Sequence, residues 1–382
     1  MLKRTLTERV VRMIQEQEPL GWLRHKGATL SNIRCLTFHD YMRLCLYDEQ
    51  EGYYRSGDVR VGREGDFYTS PYVGHVVADV LARYMTHHSS ELGGEMNVME
   101  WGGGTGRLSL QLMDAWSKDA EGGGVISSLR IVDVHPAHRL AAEEAPLNKP
   151  GRVKMQVMSA EEALTEEWSP SPVLILANEL LDAMPVHRVV MDNGQLWELG
   201  VACTNGQLHE VCMPLSSPAI ASSLSADYIR LREGQQTEVN LEAGRWLQQI
   251  TRKLHGPARL IILDYGHEAE EYTAEHRMLG TLMCYSKHTA HTNPYVRLGE
   301  QDLTAHVPYT ALRREAEAMG WTTAYYGTQQ QFLTQHGLLE LLQPTDGVDP
   351  FSPSARRNRA IRQVLLSDGM SEAFKVMVLD YR

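Results

Sequence analysis

The sequence predicts an α/β fold built on a mostly parallel sheet, and three stretches carry that expectation. Asn97-Val98-Met99-Glu100-Trp101 runs into Gly102, Gly103, Gly104 and Gly106, after which Leu108, Leu112, Met113 and Trp116 return at helical spacing. That pattern is strand, tight loop, helix. Pro172-Val173-Leu174-Ile175-Leu176-Ala177 is a near-continuous apolar run, as expected of a strand buried on both faces. Arg259 to Leu263 is a second such run, and it ends in Asp264-Tyr265-Gly266.

Taken in order, Thr5-x-x-Glu8 is a capping box ahead of Leu6, Val10, Val11 and Ile14 on one helical face. Thr37-x-x-Asp40 introduces a second helix through Phe38, Tyr41, Met42, Cys45 and Leu46. Residues 55–71 form a polar loop containing Asp66, Phe67, Tyr68, Thr69 and Ser70, the kind that covers active sites, before a helix through Val76, Val80 and Tyr84. Beyond the glycine loop and its helix, Leu129–Val134 reads as the second strand and Val153–Met158 as the third, with Ser159-x-x-Glu162 capping the next helix.

Residues 186–215 alternate apolar and polar around Asp192-Asn193-Gly194 and Thr204-Asn205-Gly206, which predicts two hairpins that interrupt the βα rhythm. Ser216–Gln236 reads as irregular and Val239–Leu254 as a helix. Past residue 308 the expected elements are a helix ending at Gly320-Trp321, another near 328–342, a third over Arg356–Leu366 and a closing strand over Phe374–Asp380. The expected organisation is an N-terminal helical region (1–94), a core (95–185 and 256–382) and an inserted subdomain (186–255).

Composition narrows the function classes. The chain has 382 residues, 43% hydrophobic and 22% charged, as in ordinary globular proteins of two or three domains. A net charge of −11 argues against nucleic acid as a partner. Five cysteines without a C-x-x-C pair support neither a disulfide framework nor a metal site. No apolar run has the ~18 residues of a membrane span, no signal-peptide core stands at the start, and a cytoplasmic location is expected.

Glycines at the loop let the chain turn sharply and bring bare N–H groups to a ligand at the positive end of the following helix, so a nucleotide-like ligand is expected. A dinucleotide fingerprint G-x-G-x-x-G would need glycine at 107 or 109, where Arg107 and Ser109 stand. The pattern is instead Glu100-x-Gly102-x-Gly104-x-Gly106. Asp133, 27 residues after Gly106, ends the second strand where a Rossmann-like fold places an acid on ribose hydroxyls. Glu161 or Glu162 follows the third strand, on the side of the base, and capping by itself accounts for Glu162. The run ending at Ala177 delivers Asn178-Glu179-Leu180-Leu181-Asp182 to the ligand-binding edge of the sheet.

The glycine loop resembles motif I of the class I S-adenosylmethionine (SAM) dependent methyltransferases. A wider set of residues resembles the MidA-like family, related to a mitochondrial complex I assembly-factor arginine methyltransferase. The set comprises Tyr41-Met42, Gly52-Tyr53-Tyr54, Gly65-Asp66-Phe67, Thr69-Ser70-Pro71, Glu100 to Gly106, Asn178-Glu179, Asp182-Ala183, Pro185-Val186, Asp264-Tyr265-Gly266 and Asp302-Leu303-Thr304 with Val307. The resemblance implies a class I methyltransferase core, SAM as cofactor and a protein arginine as acceptor, with a respiratory-complex subunit among the candidates and a homodimer allowed for. The chain departs from the family at Gly103, where proline is common, and at Asp133, where glutamate is usual.

Transfer to a guanidinium would need carboxylates that hold it in a fork and ease proton loss from a group with pKa above ~12. Glu179 is expected to hold the nucleophile, with Asp182 second and Asp264 third. Glu100, Gly102, Gly104, Gly106, Asp133, Glu161 and Asn178 are expected at the cofactor, with Asp66, Thr69 and Ser70 closing over it. The competing readings are a small-molecule methyltransferase, a nicotinamide or flavin oxidoreductase, and a non-catalytic assembly protein that keeps the fold.

Overall fold

The computed structural model describes residues 5–23, 30–55, 57, 71–89, 95–118, 126–145, 153–287, 289–345, 349–366 and 373–382. The chain divides into two compact units, one of Val59–Leu180, Gln248–Tyr265 and Ala316–Arg382, the other of Met1–Asp58, Leu181–Leu247 and Gly266–Glu315. The division departs from the one expected, because residues 1–58 and 266–315 group with the hairpins rather than standing apart or joining the core.

The first unit is organised on a sheet whose strands, in chain order, are β1 (Met96–Trp101), β2 (Ile126–Val132), β3 (Lys154–Met158), β4 (Val173–Asn178), β5 (Ala258–His267), β6 (Trp321–Thr328) and β7 (Phe374–Tyr381). Across the sheet they lie in the order β3-β2-β1-β4-β5-β7-β6. The first five are mutually parallel, while β7 runs antiparallel to both β5 and β6. The strand order reverses between β1 and β4. Loops leaving the carboxyl ends of those two strands therefore border the crevice where open α/β sheets take ligands.

Five consecutive residues of β4 are buried, as its unbroken apolar sequence requires of a central strand. Val98, Leu129, Leu174, Leu176, Ile261 and Val376 join one core with residues of the helices Pro71–Ser89, Arg107–Lys118 and Pro353–Leu366. Each such aliphatic side chain contributes roughly 1.5–3 kcal/mol when fully buried. Arg259 of β5 pairs in register with Asp380 of β7 and forks onto its carboxylate at 2.7 and 2.8 Å, which fixes the register of the antiparallel strand.

The second unit holds an antiparallel sheet in the order Gln236–Val239, His187–Asp192, Gln195–Thr204, Gln207–Met213, Gly21–Leu23 and Leu30–Ile33, with Cys35–Thr37 also on Gln195–Thr204. The two expected hairpins turn at Asn193-Gly194 and Asn205-Gly206. Helices Leu6–Glu16 and Phe38–Tyr47 pack their apolar faces into a core with Val186, Val201, Cys284 and Leu303. The Thr5–Glu8 capping box is closed in both directions. At Thr37 the hydroxyl accepts the Asp40 N–H but also donates to the Asp40 carboxylate at 2.9 Å, so this shorter acid is used differently from a glutamate.

Four element expectations need correction. Ser216–Gln236 is not irregular throughout, since Ser217 caps a helix over Pro218–Ala226 that buries Ile220 and Leu224. Val239 belongs to a strand because it pairs with His187, and the helix after it begins at Glu242. Residues 321–328 form β6 on β7, and the expected helix near 328–342 shrinks to Gln329–Gln335. The second strand begins at Ile126 and stops at Val132, which leaves Asp133 just past its carboxyl end.

Candidate active site

In the first unit the loop after β1 is folded back on β2. The N–H groups of Gly102 and Gly103 donate to the Val132 carbonyl at 2.8 and 3.2 Å, and Gly106 N–H donates to Gly103 O at 2.9 Å. Gly102, Gly104 and Gly106 have φ of +71°, +55° and +72°. A Cβ on Gly102 would lie 2.9 Å from Leu180 Cδ1, and one on Gly106 would lie 2.8 Å from Ile131 Cδ1, so both are needed for packing. A Cβ on Gly104 would meet no atom of the described residues within 4 Å. That open space over a left-handed, bare backbone is what close approach of a ligand requires, and it fits the cofactor that the resemblance of this loop implies.

Asp133 is tied to this loop. Its Oδ2 accepts the Gly104 N–H at 2.8 Å and its Oδ1 accepts the His135 N–H at 2.7 Å, both charge-assisted bonds. His135 and His138, which the sequence reading passed over, stack beside it with centroids 4.1 Å apart, and His138 Nδ1 lies 3.6 Å from Asp133 Oδ1. The available signal was His135-Pro136, a cap followed by proline at the helix start. Glu100 is buried beneath the loop and accepts the Ser109 hydroxyl. Burial pushes its carboxyl up to about 7, the Asp133 charge adds to the rise, and the Ser109 bonds oppose it.

At the end of β4, Glu179 stands in the left-handed region at φ +50°, a conformation that costs a non-glycine residue of order 1 kcal/mol. Its N–H is held by the Leu263 carbonyl at 2.9 Å. The side chain is half-buried, and burial raises its pKa against the opposing contact from Asn178 Nδ2 at 3.5 Å. Leu180, the next residue, is the one packed against Gly102, so the β4 end and the glycine loop adjoin.

The other expected residues are placed differently. Asp264 is 0% exposed and its Oδ1 accepts the Tyr265 N–H at 2.8 Å. Asp182, three residues after Glu179, falls in the second unit, buried, with its carbonyl accepting the Ala305 N–H at 2.9 Å. Glu161 is exposed in the first turn of helix Ala160–Thr165, and Glu162 is engaged in the Ser159 capping box. Asp66, Thr69 and Ser70 lie outside the described residues. Among the described residues no group of His, Cys, Asp and Glu could hold a metal ion, and no helix is long and apolar enough to cross a membrane.

Comparison with known proteins bears on the cofactor. Residues 80–327 match a family model described as "Putative S-adenosyl-L-methionine-dependent methyltransferase". A crystal structure of a Burkholderia thailandensis protein bound to S-adenosyl-homocysteine superposes with a TM-score of 0.79 at 29% identity, covering 98% of this chain and 91% of that one. A native crystal structure from the same organism gives 0.77 at 30% identity with the same coverage. The chain is also 27% identical over 74% of its length to the mitochondrial "Protein arginine methyltransferase NDUFAF7 homolog" of Drosophila melanogaster, and 25% identical over 77% to mitochondrial NDUFAF7 of Mus musculus. It spans 66% and 69% of those two proteins. The cytoplasmic location expected from the sequence is corrected by these relatives, both of which are named as mitochondrial.

Proposed function

This chain belongs to that family of S-adenosyl-L-methionine-dependent methyltransferases, and from that premise we propose that its acceptor is an arginine of a protein. Support comes from the names of the fly and mouse relatives and, in this chain, from a glutamate kept in a strained conformation beside the glycine loop.

The bound cofactor would supply an activated methyl group, held by the loop from Gly102 to Gly106 with Asp133 and Glu100 behind it. Asn178 and Glu161 are assigned to the same cofactor, and the family pattern adds Asp66, Thr69 and Ser70, which lie outside the described residues. Glu179 is assigned to the acceptor. Its carboxylate would fork onto two guanidinium nitrogens and draw positive charge away from the attacking one. Burial, which raises the proton affinity of Glu179, suits it to ease proton loss from the acceptor. Asp182 is the second acid proposed for the acceptor. Asp264, fully buried with its Oδ1 accepting the Tyr265 N–H, is the third.

The carrying observation is the left-handed backbone of Glu179 at the ligand-binding edge of the sheet, a conformation that persists only where the surrounding structure holds the residue in place. Transfer of tritiated methyl from SAM into a cell lysate, followed by mass spectrometry, tests the reading. The expected product is methylarginine in protein, with a respiratory-complex subunit as the first acceptor to examine and light scattering to ask for a homodimer. Label confined to small molecules or to other side chains would overturn the arginine assignment.

A further inference from the structure

Two pieces of the family pattern, Tyr53-Tyr54 and Asp302-Leu303-Thr304, have no part in the transfer described so far, yet they meet inside the second unit. The Tyr54 hydroxyl donates to Asp302 Oδ2 at 2.6 Å, and Asp302 Oδ1 accepts the Leu303 N–H at 2.9 Å. Tyr47 stacks on Tyr54 with centroids 5.7 Å apart, and its own hydroxyl donates to the Ala183 carbonyl at 3.0 Å. From the other direction, Ala305 N–H donates to the carbonyl of Asp182 at 2.9 Å. The turn that carries Asp182 is thus pinned at two successive carbonyls, once by Ala305 just past the strand Asp302–Thr304 and once by Tyr47, on which Tyr54 stacks. Burial raises the Tyr54 hydroxyl well above its ordinary pKa, and the charges of Asp302 and Asp182 both add to the rise, so this ring lies within electrostatic reach of both acids.

We propose that Tyr54 and Asp302 are positioning residues for Asp182, holding its turn through Tyr47 so that the direction of the carboxylate is set before the acceptor arrives. The proposal rests on the reading that Asp182 serves the acceptor. Prior placement matters because a displacement of ~1 Å at a reacting group can cost about a hundredfold in rate.

Tyr54→Phe removes one hydroxyl and keeps the ring stacked on Tyr47. With tritiated SAM and a cell lysate as acceptor pool, the variant is expected to lose about tenfold in labelling rate while its SAM affinity by calorimetry stays near that of the parent chain, and its Tm falls because the buried Asp302 carboxylate loses one hydrogen bond. Tyr47→Phe breaks the same relay at its other end. The double variant is expected to be no slower than the slower single one, a non-additivity that two independent packing defects would not give. Unchanged rates, additive losses, or SAM affinity falling in step with rate would overturn the proposal. If Tyr54→Phe does not fold, Tyr47→Phe alone decides by the same rate and affinity readouts. A parent chain that labels no arginine sinks the functional reading itself, whereas arginine labelling with Tyr54→Phe at full rate sinks the positioning role alone.

Discussion

The backbone N–H of Gly104 donates to Oδ2 of Asp133 at 2.8 Å, so the loop after β1 is tied to the end of the neighbouring strand by a carboxylate. The acid expected at a ribose is, in the fold, the clamp of the glycine loop. Its second oxygen is spent on His135 N–H at 2.7 Å.

Asp133→Asn would keep one acceptor and turn an amide NH2 toward the other N–H. Hydrogen bonds to a charged group contribute about 1.5–3 kcal/mol, so SAM affinity is expected to fall about tenfold or more. Isothermal titration with SAM checks this, and an unchanged Kd would show that the clamp does not matter to the cofactor.

The three left-handed glycines separate packing from binding. Gly106→Ala would drive a methyl into Ile131 Cδ1 at 2.8 Å and Ala142 Cβ at 3.2 Å, on top of the strain at φ +72°, and is expected to lower stability by more than about 2 kcal/mol. Gly104→Ala has room, pays only the backbone strain of about 1–2 kcal/mol, and should lose cofactor affinity out of proportion to its Tm. Thermal melts set beside SAM titrations of the two variants read this difference.

Glu179 offers a trade between stability and activity. Asparagine tolerates the left-handed region better than glutamate, so Glu179→Asn is expected to raise stability by a few tenths to about 1 kcal/mol while abolishing methyl transfer. SAM binding should persist. Chemical denaturation and tritium incorporation give the two readings, and a variant less stable than the parent would show that the side chain contributes more to the fold than its backbone costs.

Glu100 predicts a pH dependence. Its folded-state value of about 7 lies above the ordinary 4.5 because burial disfavours the charged form. The native state therefore binds more protons than the unfolded chain between those values, and stability falls as pH rises through that window. The loss amounts to about 3 kcal/mol at roughly 1.4 kcal/mol per pH unit. Glu100→Gln, which does not titrate, is expected to show a flatter Tm profile from about pH 5 to about pH 8. Parallel profiles for the two proteins would refute the assignment.

Much of this was legible in the chain itself. Strand β4 shows as an apolar run because a central parallel strand has no wet face, and the glycine loop shows because its conformation excludes side chains. The hairpins at Asn193-Gly194 and Asn205-Gly206 were legible through turn chemistry. Strand β6 was not, because Thr322, Thr323, Tyr325 and Tyr326 show no clean alternation and their strand state comes from pairing with β7.

What the sequence determined by itself was therefore the set of local states: runs that must be buried, a loop that must be bare, and capped helices. What tertiary structure decided was how each acid is used. Asp133 reaches Gly104 across 29 residues, Glu100 is buried on Ser109, Asp264 closes on its own neighbour, and Tyr54 meets Asp302 across 248 residues. The physical reason is range. Backbone preference and apolar periodicity act over a few neighbouring residues, whereas the burial and hydrogen-bond partners of a carboxylate depend on chain that arrives from elsewhere in the fold.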